Sequence, residues 1–323
     1  MHKVAVTASP HIHDGSNTRR IMLDVIIALT PALIAATIFF GPQVLALAAT
    51  TVLSAVFFEM VTRRIMKKDV TSVFDLSAVV TGLILALSLP ANTPLPLAIL
   101  GSAVAIVVIK QIFGGLLGRN PINPALGGRL VAMRIVAVIM ALSGGNGYLT
   151  PLAWLQSTYY NGVDVITSAT PLQLLTDGAA LPGFGELFLG IHSGAMGETA
   201  TIALFLGGAY LVWRRVISPL VPLTFIGTTL LALALMGQNP LFHLLTGGLV
   251  FAAIFMATDY STSPITLKGK IIFAIGCGLI VAFVRSPGSG PTDGITHALI
   301  AMNLLVPLID KFTLSKAFGY KKG

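Results

Sequence analysis

The sequence is poor in charged residues and almost free of cysteine. Asp, Glu, Lys and Arg make up only 10% of its 323 residues, while hydrophobic residues make up 55%. A soluble globular protein has roughly 25% charged residues, so the composition argues against a soluble domain. The apolar runs are near-continuous over about 20 residues and do not alternate with a polar face, which is typical of segments that cross a bilayer.

The missing residue types also exclude several kinds of site. The single cysteine, Cys277, lies inside an apolar run, which excludes a disulfide framework and argues against an iron–sulfur cluster held by this chain alone. The sequence has no nucleophile elbow, P-loop, dinucleotide fingerprint or histidine pair at metal spacing. We therefore predict no catalytic residue and no metal ligand. Residues 1–18 lack an apolar core segment, so we expect no cleavable signal peptide.

The apolar runs predict an all-α polytopic membrane protein with about ten transmembrane helices. Their limits are 21–41, 43–61, 73–89, 94–113, 125–143, 198–213, 219–236, 239–257, 270–286 and 294–310. The third, the ninth and the stretch 114–124 are short or interrupted by Gly and Pro. Broken helices at membrane depth are tolerated where protein or a cavity satisfies the freed backbone groups, so these breaks predict a bound group.

A weak internal repeat divides the chain. Thr81-Gly82-Leu83 in the third span matches Thr246-Gly247-Gly248-Leu249 in the eighth. Five spans in each half predict two inverted repeats: a first half over 1–143, an external loop over 144–197 and a second half over 198–323. The alternative is that Thr-Gly pairs only allow close helix packing.

The distribution of positive charge predicts the orientation. With the N-terminus inside, every Lys and Arg except Arg285 falls at a cytoplasmic end of a span, and none occurs between Arg134 and Arg214. By the positive-inside rule, both termini are cytoplasmic and the long loop is on the outer face. The net charge of +8 is explained in the same way, and we expect no nucleic acid partner.

Acids and histidines near the apolar runs have two possible roles. Asp24, Glu59 and Asp310 lie close to spans, and an intramembrane acid can mark an ion path. Each is within about a turn of a basic cluster, so a local ion pair is the favoured interpretation. His192 and His243 are isolated in the sequence, and such histidines are more often packed or interfacial residues than ligands.

The predicted outer loop contains the segment Asp164-Val165-Ile166-Thr167-Ser168-Ala169-Thr170-Pro171. It resembles the motif at which a flavin transferase joins FMN through its phosphate to a threonine hydroxyl, which here is Thr170. Small neighbours such as Ala169 leave a hydroxyl accessible, and the following proline disfavours helix at Thr170. Asp164 would orient the segment or bind the transferase's metal. The alternative is an ordinary polar turn.

The chain resembles the RnfD and NqrB family of membrane proteins over nearly its whole length. The matching segments are Ser9-Pro10-His11, Arg20-Ile21-Met22, Asp75, Ser77-Ala78, Thr81-Gly82-Leu83, Lys110-Gln111, Gly114-Gly115, Gly118, Asn120-Pro121, Asn123-Pro124-Ala125, the flavin motif, Thr258-Asp259, Arg285-Ser286, Asp293-Gly294 and Val306-Pro307-Leu308-Ile309-Asp310. The length favours the RnfD branch over the NqrB branch, which has a longer N-terminal region.

The resemblance implies a component of an Rnf complex in a bacterial or archaeal plasma membrane. That complex passes electrons between ferredoxin and NAD and couples this to Na⁺ or H⁺ translocation. The implied partners are the other Rnf proteins (RnfA, RnfB, RnfC, RnfE and RnfG), a flavin transferase and the lipid bilayer. The alternatives are an NqrB-like component of the Na⁺-pumping NADH:quinone oxidoreductase and, in a different class, a urea- or ammonium-type permease.

The resemblance also implies a second, non-covalent flavin, riboflavin or FMN, within the spans. Lys110, Asn120 and Asn123 are the predicted hydrogen-bond donors to it, although Asn-Pro pairs also cap and break helices. Arg285, the one cation predicted outside, is expected to pair with the phosphate or the ring of the flavin on Thr170. The alternative is an interfacial arginine that reaches to the membrane surface.

Overall fold

The structure, a computed structural model, describes residues 17–68, 74–117, 119–143, 148–149, 167–286 and 294–314. Within these ranges the only strands are the antiparallel pair β1 (Tyr148–Leu149) and β2 (Thr167–Ser168). The helices before β1 are α1 (Thr18–Phe40), α2 (Gln43–Ile65), α3 (Ser77–Ser88), α4 (Leu95–Ala103), π1 (Val104–Phe113), α5 (Gly114–Leu117) and α6 (Pro124–Ser143). The helices after β2 are α7 (Pro171–Thr176), α8 (Phe184–Leu189), α9 (Thr201–Trp213), α10 (Leu220–Leu235), α11 (Pro240–Leu245), α12 (Leu249–Phe251), π2 (Ala252–Met256), α13 (Leu267–Val284) and α14 (Ile295–Thr313).

Five of these segments are long and apolar enough to cross a membrane. They are α1, α2, the continuous α4–π1 segment, α13 and α14, and α3, α9 and α10 are shorter apolar helices. The prediction of a helical, polytopic membrane protein is therefore confirmed. The count of ten spans and the inverted repeat stay predictions.

Three helices begin with the same local chemistry, a polar residue followed by proline. Asn123, Thr170 and Asn239 precede Pro124, Pro171 and Pro240, the first residues of α6, α7 and α11. The side-chain oxygen of each accepts a hydrogen bond from a backbone N–H of the first turn. Proline suits the first helical position because its missing N–H would have no partner there.

The eighth apolar run is broken, and the ninth is not. Gly247 and Gly248 have φ values of 63° and 67°, so the chain turns between α11 and α12, as glycine allows at little cost. The prediction of a break in the ninth run was wrong, because α13 is continuous over it. Gly276 and Gly278 of α13 are helical. A side chain at either position would collide with Met302 or Thr228, respectively.

Close packing joins the helices into one large apolar core. At Gly82 in α3, a side chain would lie 2.8 Å from Cα of Val52 in α2. At Gly207 in α9, it would overlap the carbonyl oxygen of Ala28 in α1. Such approaches are the usual role of small residues between membrane helices, which agrees with the packing alternative for the Thr81-Gly82 pair.

The last part of the predicted outer loop enters the protein interior. Residues 192–200, between α8 and α9, are all buried. The backbone N–H groups of Met196 and Gly197 donate to the carbonyls of Leu89 and Leu87 at the end of α3. These backbone donors satisfy carbonyls left free where α3 stops, so the end of the 144–197 segment is packed against the helices, and its placement on the outer face stays a prediction.

Candidate functional site

Thr170 is the N-cap of α7. Its backbone is extended, with φ −66° and ψ 154°, and its hydroxyl oxygen accepts from the N–H of Gln173 at 3.3 Å. Thr170 and Ala169 are half-buried. The hydroxyl therefore has a defined position at the start of a helix.

The helix that Thr170 caps is fixed to two others. Leu172 of α7 packs with Leu187 of α8 and with Phe242 and Leu245 of α11 in a small apolar cluster. Thr170 therefore begins a helix that is packed against two other helices, although it follows a segment that was predicted to be a loop. Asp164 and the side chain of Thr167 lie outside the described residues, so their predicted roles stay predictions.

A pocket of about 320 Å³ is lined by both chain neighbours of Thr170, Ala169 and Pro171, together with Leu174 of α7. Glu186 and His192 bring polar atoms to the same pocket. The pocket therefore borders the chain on both sides of the threonine, while Thr170 itself is not one of its lining residues.

Arg285, at the end of α13, is only 6% exposed. Its guanidinium donates to the carbonyl oxygens of His243 at 2.9 Å, Thr246 at 3.3 Å and Gly247 at 3.1 Å. These carbonyls lie at the end of α11 and in the glycine turn, where no helix continues to satisfy them. Arg285 therefore stabilises the break, and its predicted contact with a flavin on Thr170 stays a prediction.

A second cavity, of about 220 Å³, lies between the two halves of the chain. Lys110, Asn120 and Asn123, which the sequence proposed for one site, all line it. Its apolar wall comes from α1, α3, α9 and π2, and the Thr258–Ser261 turn supplies further polar groups. The structure thus brings together residues from two neighbouring segments of the sequence, the run 94–113 and the stretch 114–124.

Lys110 is held by a buried acid. Its Nζ lies 2.9 Å from Oε2 of Glu59 and 2.6 Å from Oγ of Ser77. Glu59 is fully buried and also pairs with Arg63 and accepts from Gln111. The ammonium is therefore neutralised within the protein and oriented at the cavity edge.

The two asparagines connect the cavity to the turn after π2. Asn123 Nδ2 donates to Oδ2 of Asp259 at 3.3 Å, and Asn120 Nδ2 donates to Oγ of Ser261 at 3.2 Å. Asn123 Oδ1 meanwhile accepts from the N–H groups of Ala125 and Leu126. The capping alternative is thus confirmed for Asn123, and its amide group still faces the cavity.

The three acids near the spans all form ion pairs, but the predicted local pair is found only for Glu59 with Arg63, and the other two acids pair with distant arginines. Asp24 pairs with Arg214 and accepts from the hydroxyl of Tyr210. Asp310 pairs with Arg119 at 3.2 Å. Together with the Glu59 network, these pairs join segments that are far apart in the sequence.

One buried ion pair was missed by sequence reasoning. Arg129 in α6 lies 2.8 Å from Glu198, and both side chains are less than 10% exposed. Arg129 was placed at a cytoplasmic span end and Glu198 at the outer start of the sixth span. The contact corrects this, because the two residues share one depth, and Arg129 lies five residues, or about 7.5 Å, into its helix.

Comparison with known proteins identifies the family. The chain matches the model of the NQR2, RnfD, RnfE family over residues 5–319. The D component of the Na⁺-translocating ferredoxin:NAD⁺ oxidoreductase complex of Acetobacterium woodii is 42% identical over 323 residues, which cover 99% of this chain and 96% of the relative.

Two further relatives carry related names. The D component of the proton-translocating ferredoxin:NAD⁺ oxidoreductase complex of Clostridium ljungdahlii is 36% identical over 98% of this chain and 96% of its own length. The D component of the ion-translocating oxidoreductase complex of Escherichia coli is 32% identical over 98% and 99%. The resemblance read from the motifs is thus confirmed, and the chain belongs to the NQR2, RnfD, RnfE family.

Proposed function

We propose that this protein is the flavin-carrying membrane component of an Rnf-type complex. In that complex it relays electrons between ferredoxin and NAD while Na⁺ or H⁺ is translocated, and it acts with the other components, not as an enzyme alone. The observation that carries the proposal is full-length similarity to the D components of such complexes, combined with the flavin motif that ends at Thr170.

The geometry around Thr170 supports a covalent FMN there. The hydroxyl is at a helix start, and its chain neighbours border a pocket. Attachment requires an activated FMN donor such as FAD: the threonine hydroxyl loses its proton and its oxygen bonds to the FMN phosphorus, the pyrophosphate bond breaks, and AMP leaves, a reaction that a flavin transferase carries out. The polar-turn alternative is compatible with the N-cap contact, so the two must be separated by experiment.

Two substitutions at Thr170 distinguish a flavin attachment site from an ordinary polar turn. Thr170→Asn keeps an N-cap acceptor but removes the hydroxyl, so it preserves α7 and abolishes attachment. Thr170→Ser keeps both. The chain is coproduced with a flavin transferase, denatured and run on a gel that is viewed for flavin fluorescence. We expect a fluorescent band for wild type and none for Thr170→Asn, and a dark wild-type band rejects the covalent flavin.

The same gel also tests the permease alternative, which predicts no covalent flavin on the wild-type chain. Thr170→Asn must also retain the wild-type unfolding temperature, because otherwise loss of the band reflects loss of the fold. Digestion and mass spectrometry of the wild-type band locate the adduct on the peptide that contains Thr170.

We also propose a second, non-covalent flavin in the cavity lined by Lys110, Asn120 and Asn123. Apolar walls and a few convergent polar groups are typical of cofactor sites. The amide groups of the two asparagines, the half-buried Lys110 ammonium and the Asp259 carboxylate offer both donors and acceptors to a flavin ring edge. Extraction of the purified chain with acid, followed by chromatography of the released flavin, tests occupancy.

A further inference from the structure

His192 is a buried side chain with one unused nitrogen. It is 5% exposed, and Nδ1 lies 3.2 Å from the carbonyl oxygen of Ser193. Because a carbonyl only accepts, Nδ1 carries the hydrogen in this contact, and in the neutral ring Nε2 is then an acceptor. Among the described residues Nε2 has no hydrogen-bond partner.

An unpaired buried acceptor is unfavourable by about 1–3 kcal/mol. His192 lines the same pocket as Ala169 and Pro171, so its ring borders the space that a donor would occupy. The lone-histidine expectation of a packed residue accounts for the burial of His192 but not for the unused nitrogen.

We propose that this pocket binds the flavin attached to Thr170, and that His192 positions it by accepting a hydrogen bond at Nε2. The inference rests on the proposed covalent flavin. A flavin supplies matching donors, namely the ribityl hydroxyls and the ring N3–H. The pocket borders both chain neighbours of Thr170, which puts it within reach of a ribityl chain attached at that residue.

Charge decides which part of the flavin enters. The acidic residue of the pocket is Glu186. Its carboxylate accepts from the N–H of Gly183 at 3.0 Å and lies at the pocket wall. A carboxylate repels a phosphodiester but accepts from hydroxyl groups. The phosphate therefore stays at Thr170, and the ribityl chain and ring occupy the pocket against Leu174, Leu181 and Ile191.

The test measures how accessible the covalent flavin is in the native protein. The chain, coproduced with a flavin transferase and placed in nanodiscs, is titrated with iodide as a collisional quencher of flavin fluorescence. Subtracting the signal of Thr170→Asn isolates the covalent flavin. We expect the quenching constant to rise several-fold in His192→Phe, and to stay near wild type in His192→Gln, which keeps an acceptor.

A second variant fills the pocket without changing a buried residue. Leu181 is 42% exposed and lines the pocket, so Leu181→Trp occupies the space and displaces the ring. Leu189 is 52% exposed and lies outside this pocket, so Leu189→Trp is the matched control. We expect greater iodide quenching in Leu181→Trp only.

The outcomes separate the two proposals. A fluorescent denatured band with unchanged quenching in both His192→Phe and Leu181→Trp overturns the pocket assignment and leaves the covalent flavin in place. A dark wild-type band rejects the covalent flavin itself. Equal quenching increases in Leu181→Trp and Leu189→Trp also overturn the assignment, because a tryptophan outside the pocket would then expose the flavin as much as one inside it.

Discussion

Arg129 and Glu198 form a buried ion pair 2.8 Å long between α6 and the irregular segment before α9. The pair connects the first half of the chain with the second. On the other side of Glu198 is Gly248, where a side chain would lie 2.6 Å from Cγ of the glutamate. Three interrupted parts of the backbone, the end of α3, the 190–200 segment and the glycine turn, therefore meet near one carboxylate.

Removing Arg129 takes away an ion-pair partner of the buried Glu198 carboxylate. We expect Arg129→Met to reduce stability by about 3–5 kcal/mol and the double variant Arg129→Met/Glu198→Gln to recover a large part of the loss. The measurement is the apparent unfolding temperature in detergent. The comparison variant is Arg214→Met, whose arginine is 33% exposed and whose partner Asp24 keeps the hydrogen bond from the Tyr210 hydroxyl, so it should cost less than Arg129→Met. Simple additivity of the two single changes in the Arg129 pair would contradict the prediction.

The two functions of Asn123 can be separated. Asn123→Ser keeps an acceptor for the N–H of Ala125 but loses the amide that faces Asp259. Asn123→Ala loses both, and an absent N-cap costs about 1 kcal/mol. We expect both variants to release less non-covalent flavin on acid extraction, and only Asn123→Ala to unfold at a lower temperature. Normal flavin content in Asn123→Ser would leave this residue with the capping role alone.

Arg285 has a structural role and a predicted electrostatic one. Arg285→Lys keeps the charge but replaces the two guanidinium nitrogens that reach these carbonyls by a single nitrogen on a different stem, and Arg285→Met loses both the charge and the donors. Each unsatisfied buried carbonyl costs about 1–3 kcal/mol, so both variants should unfold at lower temperature.

If Arg285 also faces the flavin on Thr170, the two variants differ in redox titrations. A nearby cation stabilises the more negative, reduced flavin, so Arg285→Met should lower the midpoint potential of the covalent flavin and Arg285→Lys should not. Equal potentials in wild type, Arg285→Lys and Arg285→Met would restrict Arg285 to the stabilisation of the α11–α12 break.

The predicted orientation can be tested with single cysteines, because the native Cys277 is fully buried. Asp177 and Lys268 are exposed, and the positive-inside rule puts them on opposite sides of the membrane. We expect Asp177→Cys to react with a membrane-impermeant maleimide added outside intact cells. Lys268→Cys should react only after permeabilisation. Reaction of both, or the reverse pattern, would refute the orientation.

Local sequence patterns predicted the helix limits well. The run 43–61 corresponds to α2 (Gln43–Ile65), and α14 (Ile295–Thr313) begins one residue after the predicted 294. Hydropathy and proline act locally, so they can be read from neighbouring residues. The family resemblance, and not the local pattern, put Lys110, Asn120 and Asn123 in one site, and all three line the cavity.

Contacts between distant segments could not be read in this way. Glu198 and Arg129 are far apart in the sequence, and nothing in either segment marks them as partners. The burial of residues 192–200 was missed because their small and polar residues look like a surface loop, and only the free carbonyls of α3 explain it. Gly247 and Gly248 break the eighth run, whereas Gly276 and Gly278 lie within the continuous helix of the ninth. The difference is in the backbone φ values, which two nearby glycines in a sequence do not reveal.

Two glycines with the same backbone conformation test how closely Glu198 packs against the α12 turn. Gly248 has φ 67° and Gly237 has φ 76°, so alanine at either position is strained by about 1–2 kcal/mol. Around Gly237 a Cβ would meet nothing within 4 Å, while at Gly248 it would lie 2.6 Å from Glu198 Cγ. We expect Gly248→Ala to lower the apparent unfolding temperature clearly more than Gly237→Ala. The extra loss should shrink when Gly248→Ala is combined with Glu198→Ala and Arg129→Met, because the clash and the charge are then both removed. Equal effects of the two alanine substitutions would mean that Glu198 moves freely away from the turn, and that the three interrupted segments are not tightly joined.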